Sequence, residues 1–150
     1  MTGMLVNQLL TEARKRVKTI GTDALLTDAA RALSTRHVEL VVVCDSDGKA
    51  VGVITKADVV RRITHCEGAA CRATAAAAMT QKVVSCRPDD CLADVWSRMK
   101  KHGLRHIPIV DAQARPIGII NARDALHALL TSMAHEAELL RDYVMSVGYH

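Results

Sequence analysis

The sequence predicts an α/β protein (mixed α+β, helices with small sheets) made of two β-α-β-β-α units packed as a pseudo-twofold pair. Three observations carry this. Gly118-Ile119-Ile120-Asn121-Ala122-Arg123-Asp124 repeats the pattern of Gly52-Val53-Ile54-Thr55-Lys56-Ala57-Asp58 at an offset of 66 residues. The same offset pairs Val17 with Val83, Asp23 with Asp89, Leu26 with Leu92, Asp28 with Asp94 and Asp45 with Asp111, and no gap is needed from Val17 to Arg62. Where the copies differ they keep class, as in Val41/Ile107, Val51/Ile117, Val53/Ile119 and Leu33/Met99; a fixed period of this kind marks a repeat architecture.

The elements follow in order. Residues 6–13 read as a lead-in helix and 17–20 as a short extended segment. Residues 23–36 carry apolar side chains at 25, 26, 29, 30 and 33, the helical period. Residues 38–45 form an apolar, β-branched strand, and Asp45-Ser46-Asp47-Gly48 has turn chemistry. Residues 50–54 are the next strand, so 38–54 is a hairpin, and a helix starts at Thr55. The second copy repeats the order at 83–86, 89–102, 106–110, 116–120 and 121–130, after a short helix at 72–79. The chain divides into module one with its lead-in helix (1–66), a linker with module two (67–131), and a C-terminal helical tail (132–150). The tail has apolar residues at 133, 137, 140 and 144 on one stripe. Each unit is too small to bury much surface alone, so the two are expected to share a core through facing sheets.

Composition narrows the function classes. Of 150 residues, 49% are hydrophobic and 24% charged, a globular balance, while aromatics make up 2%, which removes the stacking platforms that single-stranded nucleic acids need. The net charge of +4 is spread over short clusters such as Arg14-Lys15-Arg16, a solvated surface rather than a nucleic-acid stripe, and compatible with a small anionic ligand. The five cysteines include no CxxC, no apolar run approaches the ~18 residues of a membrane span, and the N-terminus lacks a signal-peptide layout. The expectation is a reduced, cytoplasmic protein with no membrane or nucleic-acid partner. No Ser-His-Asp or Cys-His arrangement and no Gly-rich phosphate loop can be assembled, so no enzyme is expected. His65-Cys66 with Cys71 fits no zinc spacing, so no metal is expected. Cys86 and Cys91, around Pro88-Asp89-Asp90, read as inert thiols, with a redox pair as the weaker alternative. Trp96 reads as core or interface.

The paired stretches "GVITKAD" (52–58) and "GIINARD" (118–124), each after an apolar hairpin, with "RHIPIVD" at 105–111, resemble a tandem pair of CBS domains. This is the Bateman module named from cystathionine β-synthase, and the resemblance covers nearly the whole chain. It implies a stand-alone regulatory module with clefts between two sheets. Such clefts bind adenine nucleotides or adenosyl compounds, with no cofactor required. It also implies a homodimer and a protein partner to which occupancy is passed. By resemblance, Thr55 and Asp58 serve one cleft and Asn121 and Asp124 the other, the acids on ribose and their neighbours on ribose or phosphate. Leu40-Val41-Val42 and His106-Ile107-Pro108 are the corresponding adenine-contacting segments, with Thr19 and Ser85 beside the base.

The copies depart from the family pattern differently. Copy one has Glu39 where copy two has Arg105, and a carboxylate there repels an anion, whereas Arg105 suits bidentate phosphate contact. In copy two Asn121 replaces the hydroxyl of Thr55. Asp124 is the favoured ribose residue, because the resemblance puts it in one cleft with Arg105, His106 and Pro108. The residues alone leave another reading open: Thr55 is a helix N-cap with an acid at N3, and Asn121 caps equally well. A ligand-free interaction scaffold with filled clefts is the alternative function.

Overall fold

The computed structural model describes residues 3–65 and 72–148. A 3-10 turn at Val6–Leu9 leads into α1 (Leu10–Arg14). Module one follows as β1 (Thr19–Gly21), α2 (Leu26–Leu33), β2 (Leu40–Cys44), β3 (Ala50–Thr55) and α3 (Lys56–His65). A short α4 (Ala75–Ala78) precedes α5 (Leu92–His102), β4 (His106–Val110), β5 (Pro116–Asn121) and α6 (Ala122–Gly148). β1 runs parallel to β2, which pairs antiparallel with β3; β4 pairs antiparallel with β5.

The strand expected at 83–86 is reduced to one parallel bridge, Cys86 with Ile109. Proline is the physical reason. In module one the Val42 N–H donates to the Lys18 carbonyl at 2.9 Å. Pro108 stands at the same repeat position and has no N–H to give. What survives are the bonds on either side: Cys86 N–H to Pro108 O at 3.0 Å and Val110 N–H to Cys86 O at 2.8 Å.

The helices expected at 23–36 and 89–102 begin three residues later, after Leu25 and Cys91. In the first, the Asp28 carboxylate accepts from the Leu25 N–H at 3.2 Å, which fixes Leu25 outside the helix. Both stop before a left-handed residue at one repeat position, His37 (φ 72°) and Gly103 (φ 64°). The hairpin turns repeat as closely. Asp45 Oδ1 accepts from the Asp47 and Lys49 amides at 2.9 and 3.0 Å, and Asp111 Oδ1 accepts from those of Gln113 and Arg115, both at 2.9 Å. The two turns touch, the Ala50 N–H donating to Ala114 O at 2.9 Å and Arg115 Nε to Asp47 O at 3.2 Å.

The alternation of strands sorts side chains into three cores. Val41, Val43 and Ile54 pack with Leu26, Ala29 and Leu33 inside module one. Ile107, Ile109 and Ile120 pack with Leu92, Val95 and Met99 inside module two, and Trp96 lies against that cluster. Leu40, Val42, Cys44 and Ile119 form the core between the modules. β2 is therefore buried on both faces, which explains its unbroken apolar run.

Two features depart from the order read along the chain. The lead-in segments pack on the module they do not precede. Val6 and Ala13 are buried in the core of module two, and Ala75 in that of module one. Matching backbone bonds hold them: Leu92 N–H to Met4 O and Leu26 N–H to Ala73 O, both at 2.8 Å. Glycine makes the crossing possible. A Cβ on Gly118 would lie 3.0 Å from Ala13 Cβ, and one on Gly52 would collide with Met79. The second feature is α6, one helix of 27 residues where 121–130 and a separate tail were expected. No Gly or Pro interrupts the chain near Thr131 to stop it.

Candidate functional site

β3 and β5 both end where a helix begins, and these two ends face one cleft between the modules. Its volume is about 970 Å³, within the range of nucleotide-sized sites. Module one supplies Glu39, Leu40, Val53, Thr55, Lys56 and Asp58; module two supplies Arg105, His106, Pro108, Asn121 and Arg123; Thr80, Lys82 and Val84 come from the chain between them.

Asp58 is the buried acid of this cleft, 7% exposed. Its Oδ2 accepts from the Thr55 amide at 2.9 Å and the Thr55 hydroxyl at 3.1 Å. Its Oδ1 meets Arg61 Nη1 at 3.1 Å and the Thr80 hydroxyl at 3.4 Å. The Asp58 amide returns a bond to Thr55 Oγ1 at 3.4 Å, completing a reciprocal cap. Cap and cleft lining are thus the same residues.

Module two starts its helix differently. Asn121 Oδ1 accepts from the Arg123 amide at 2.8 Å, which leaves Asn121 Nδ2 against His106 Nε2 at 3.3 Å. An amide nitrogen only donates, so His106 Nε2 accepts there and the ring is held neutral. Burial acts the same way, lowering the His106 pKa; Arg16 and Arg105 add to this while Glu39 and Asp124 oppose it. Asp124 is tied to Arg16 of the lead-in segment, Nη2 to Oδ2 at 2.5 Å. That pair lines a separate cavity of about 320 Å³ with Glu12 and His127.

The expected grouping is therefore corrected. Arg105, His106, Pro108 and Asn121 share the large cleft with Thr55 and Asp58, and Asp124 does not line it. Position 16 is the cause. Lys82 is the repeat counterpart of Arg16; it lines the cleft beside Asp58 without pairing to it, whereas Arg16 closes onto Asp124. Val41 and Ile107 turn their side chains into the cores of their own modules, as alternation from Leu40 and His106 requires. Thr19 is exposed on β1 opposite Val42, and the Ser85 carbonyl accepts from Arg98 Nη1 at 2.8 Å; neither lines the cleft.

Thr80, Lys82 and Arg123 were not legible as cleft residues. Thr80 reaches Asp58 because its backbone pairs with Val53 in both directions, at 2.8 and 3.0 Å, a contact carried by the lead-in exchange. Around the cleft Glu39 is paired to Lys56 at 3.3 Å. Among the described residues, Lys82, Arg105 and Arg123 make no ion pair, so the cleft carries free positive charge. No cluster suited to a metal occurs among the described residues, where Cys66 and Cys71 do not fall. Cys44, Cys86 and Cys91 are free thiols, and burial pushes Cys86 up to about 12. No helix of the described residues is long and apolar enough to cross a membrane.

Two repeated α-β-β-α modules, the first with an added parallel strand, exchange lead-in segments and share one cleft, which defines a tandem-module α/β protein. The CBS domain family matches residues 6–65 and 75–131, and the chain belongs to it as a tandem CBS-domain protein. The CBS-domain containing protein ATU1752 from Agrobacterium tumefaciens superposes with a TM-score of 0.72 at 30% identity, over 83% of this chain and 98% of that one. The CBS domain pair of protein MJ0100, in complex with 5-methylthioadenosine and S-adenosyl-L-methionine, gives 0.72 at 23% identity, over 88% and 99%. CBSX2 in complex with AMP gives 0.73 at 21% identity, over 87% and 99%. An uncharacterized 17.7 kDa protein of Acidianus ambivalens is 27% identical over 79% of this chain and 70% of its own length. The inosine-5'-monophosphate dehydrogenase of Nitrosopumilus maritimus is 29% identical over 70% of this chain, a match that spans 21% of that enzyme.

Proposed function

We propose that the chain is a regulatory module that binds an adenosine-containing ligand in the cleft between its two CBS modules, and that it works as a homodimer passing occupancy to a protein partner. The observation that carries the ligand-binding part of this reading is the free positive charge of Lys82, Arg105 and Arg123 around a buried acid, Asp58, at the start of a helix; the homodimer and the partner rest on the family resemblance. A helix N-terminus with nearby cations suits phosphate or another anionic group. Asp58 with the Thr80 hydroxyl suits a diol such as ribose, and Leu40, Val53 and Pro108 offer an apolar wall for a base. That MJ0100 and CBSX2 hold adenosyl compounds and AMP supports the same ligand class. An open cleft of about 970 Å³ argues against a scaffold whose clefts are filled by side chains. Ligand bound across both modules favours one relative arrangement of them by its differential affinity, and the partner reads that arrangement.

Thermal unfolding with a panel of AMP, ADP, ATP and adenosyl sulfur compounds tests the reading. A ligand at ~100 times its Kd adds about 2.7 kcal/mol, several degrees for a chain of this size. No shift with any member at millimolar concentration leaves the scaffold reading.

A further inference from the structure

From the last turns of the second module outward, α6 carries an apolar seam that no other described part of the chain covers. Leu126, Leu130, Met133, Ala137, Leu140 and Val144 succeed one another in alternating steps of four and three residues. This is the a/d spacing of a heptad repeat. Leu130, Met133, Leu140 and Val144 are 56, 63, 65 and 57% exposed. On the adjoining face Ala125 and Leu129 pack into the core of module two, so the seam runs outward from the body. Most of a helix's stability in a protein comes from packing an apolar face rather than from intrinsic propensity.

We propose that this seam is the contact surface for a second copy of the chain, joined as a parallel two-stranded coiled coil. Charge selects both the occupant and the orientation. With Leu126, Met133 and Leu140 at d and Leu130, Ala137 and Val144 at a, Glu136 falls at g and Arg141 at e. In a parallel pair a g side chain meets the e side chain five residues further along the other helix. Glu136 therefore meets the partner's Arg141, twice by symmetry. An antiparallel pair centred on Ala137 instead brings two Glu136 side chains together. Val144 at a with Leu140 at d suits two strands, and Ala137 lets the helices approach closely. The inference rests on the homodimer proposed above and adds its surface and direction.

Sedimentation of the 150-residue chain and its variants decides the matter. The parent is a dimer at micromolar concentration. Met133→Asp with Leu140→Asp raises the dimer Kd by roughly 100-fold, with the melting transition of the modules kept. Glu136→Arg and Arg141→Glu each raise it by roughly tenfold, and the two together restore it. These surface charge changes leave folding intact and so stand even if the aspartates disturb it. A monomeric parent overturns both this inference and the homodimer. A dimer indifferent to the two aspartates overturns the seam and leaves the homodimer standing. Failure of the double charge swap to restore association overturns the parallel orientation.

Discussion

Arg16 and Asp124 form an ion pair that fastens the end of the lead-in segment to the first turn of α6. It occupies the acid that the second "GIINARD" motif offers, while its counterpart Asp58 still faces an open cleft. Both partners are partly exposed, so the pair itself is worth at most about 1 kcal/mol. Its larger effect is to close one of two related positions. Arg16→Ala is expected to lower stability by less than ~1 kcal/mol and to release Asp124 for a second, weaker binding event. Calorimetric titration with the tightest nucleotide of the panel reads the stoichiometry. An unchanged single event shows that Arg16 is not what closes this side.

The repeat places two left-handed backbones at each of two positions, and in each pair one copy has glycine and the other does not. Ala114 (φ 63°) stands where Gly48 (φ 82°) does, and His37 (φ 72°) where Gly103 (φ 64°) does. A residue with a Cβ costs roughly 1–2 kcal/mol in this region. Ala114→Gly should stabilise the fold by about 0.5–1 kcal/mol after the unfolded chain's added entropy, and Gly48→Ala should cost about as much or more. The denaturant midpoint at unchanged slope measures both. A lowered midpoint for Ala114→Gly contradicts the strain argument.

His106 links stability to pH. Its folded pKa lies below the ordinary 6.5, first because it is buried. The unfolded chain then binds more protons than the folded one, so stability is complete above pH 6.5 and falls as the pH drops below it. Protonation also turns Nε2 into a donor facing the donor Nδ2 of Asn121. His106→Gln should flatten the stability profile below pH 6.5. Chemical unfolding at a series of pH values checks this; an equal acid slope in the variant assigns the loss to the carboxylates instead.

The fold was legible because the repeat tests itself. A wrong register would have broken the match of Asp45 with Asp111 or of Leu26 with Leu92, and the structure gives these pairs matching places. What stayed hidden depends on groups that a pattern of side chains does not display. Pro108 reads as a strand residue within "HIPIV", yet its missing N–H takes the bond from the parallel neighbour and dissolves a strand at 83–86. The lead-in exchange is a long-range contact whose trace is the glycine at 52 and 118, a space requirement rather than a turn. Of the site, Thr55, Asp58, Arg105, His106, Pro108 and Asn121 come together in the cleft. Val41 and Ile107 were drawn in by adjacency, although alternation sends every second residue of a strand to the other face. Asp124 left the group because Arg16, outside either motif, reaches it.

Asp58 is where helix cap and ligand site must be separated. Its oxygens already serve Thr55, Arg61 and Thr80, so a purely structural role is fully accounted for by the chain. Asp58→Asn keeps the size but replaces one acceptor by a donor, which then faces Thr55 or Arg61. Loss of the cap and of a buried, charged acceptor should cost about 1–3 kcal/mol of stability. If Asp58 also holds a ribose diol, affinity falls by roughly 1.5–3 kcal/mol as well, the scale of a lost charged hydrogen bond. Thr80→Ala separates the two effects. The Thr80 hydroxyl touches Asp58 Oδ1 at 3.4 Å but takes no part in the cap, so its loss should leave the melting point within a degree or two and still weaken binding by roughly 0.5–1.5 kcal/mol. We expect both variants to bind more weakly in calorimetric titration. Retained affinity in both, with stability lost only in Asp58→Asn, would confine the Thr-x-x-Asp motif to starting a helix.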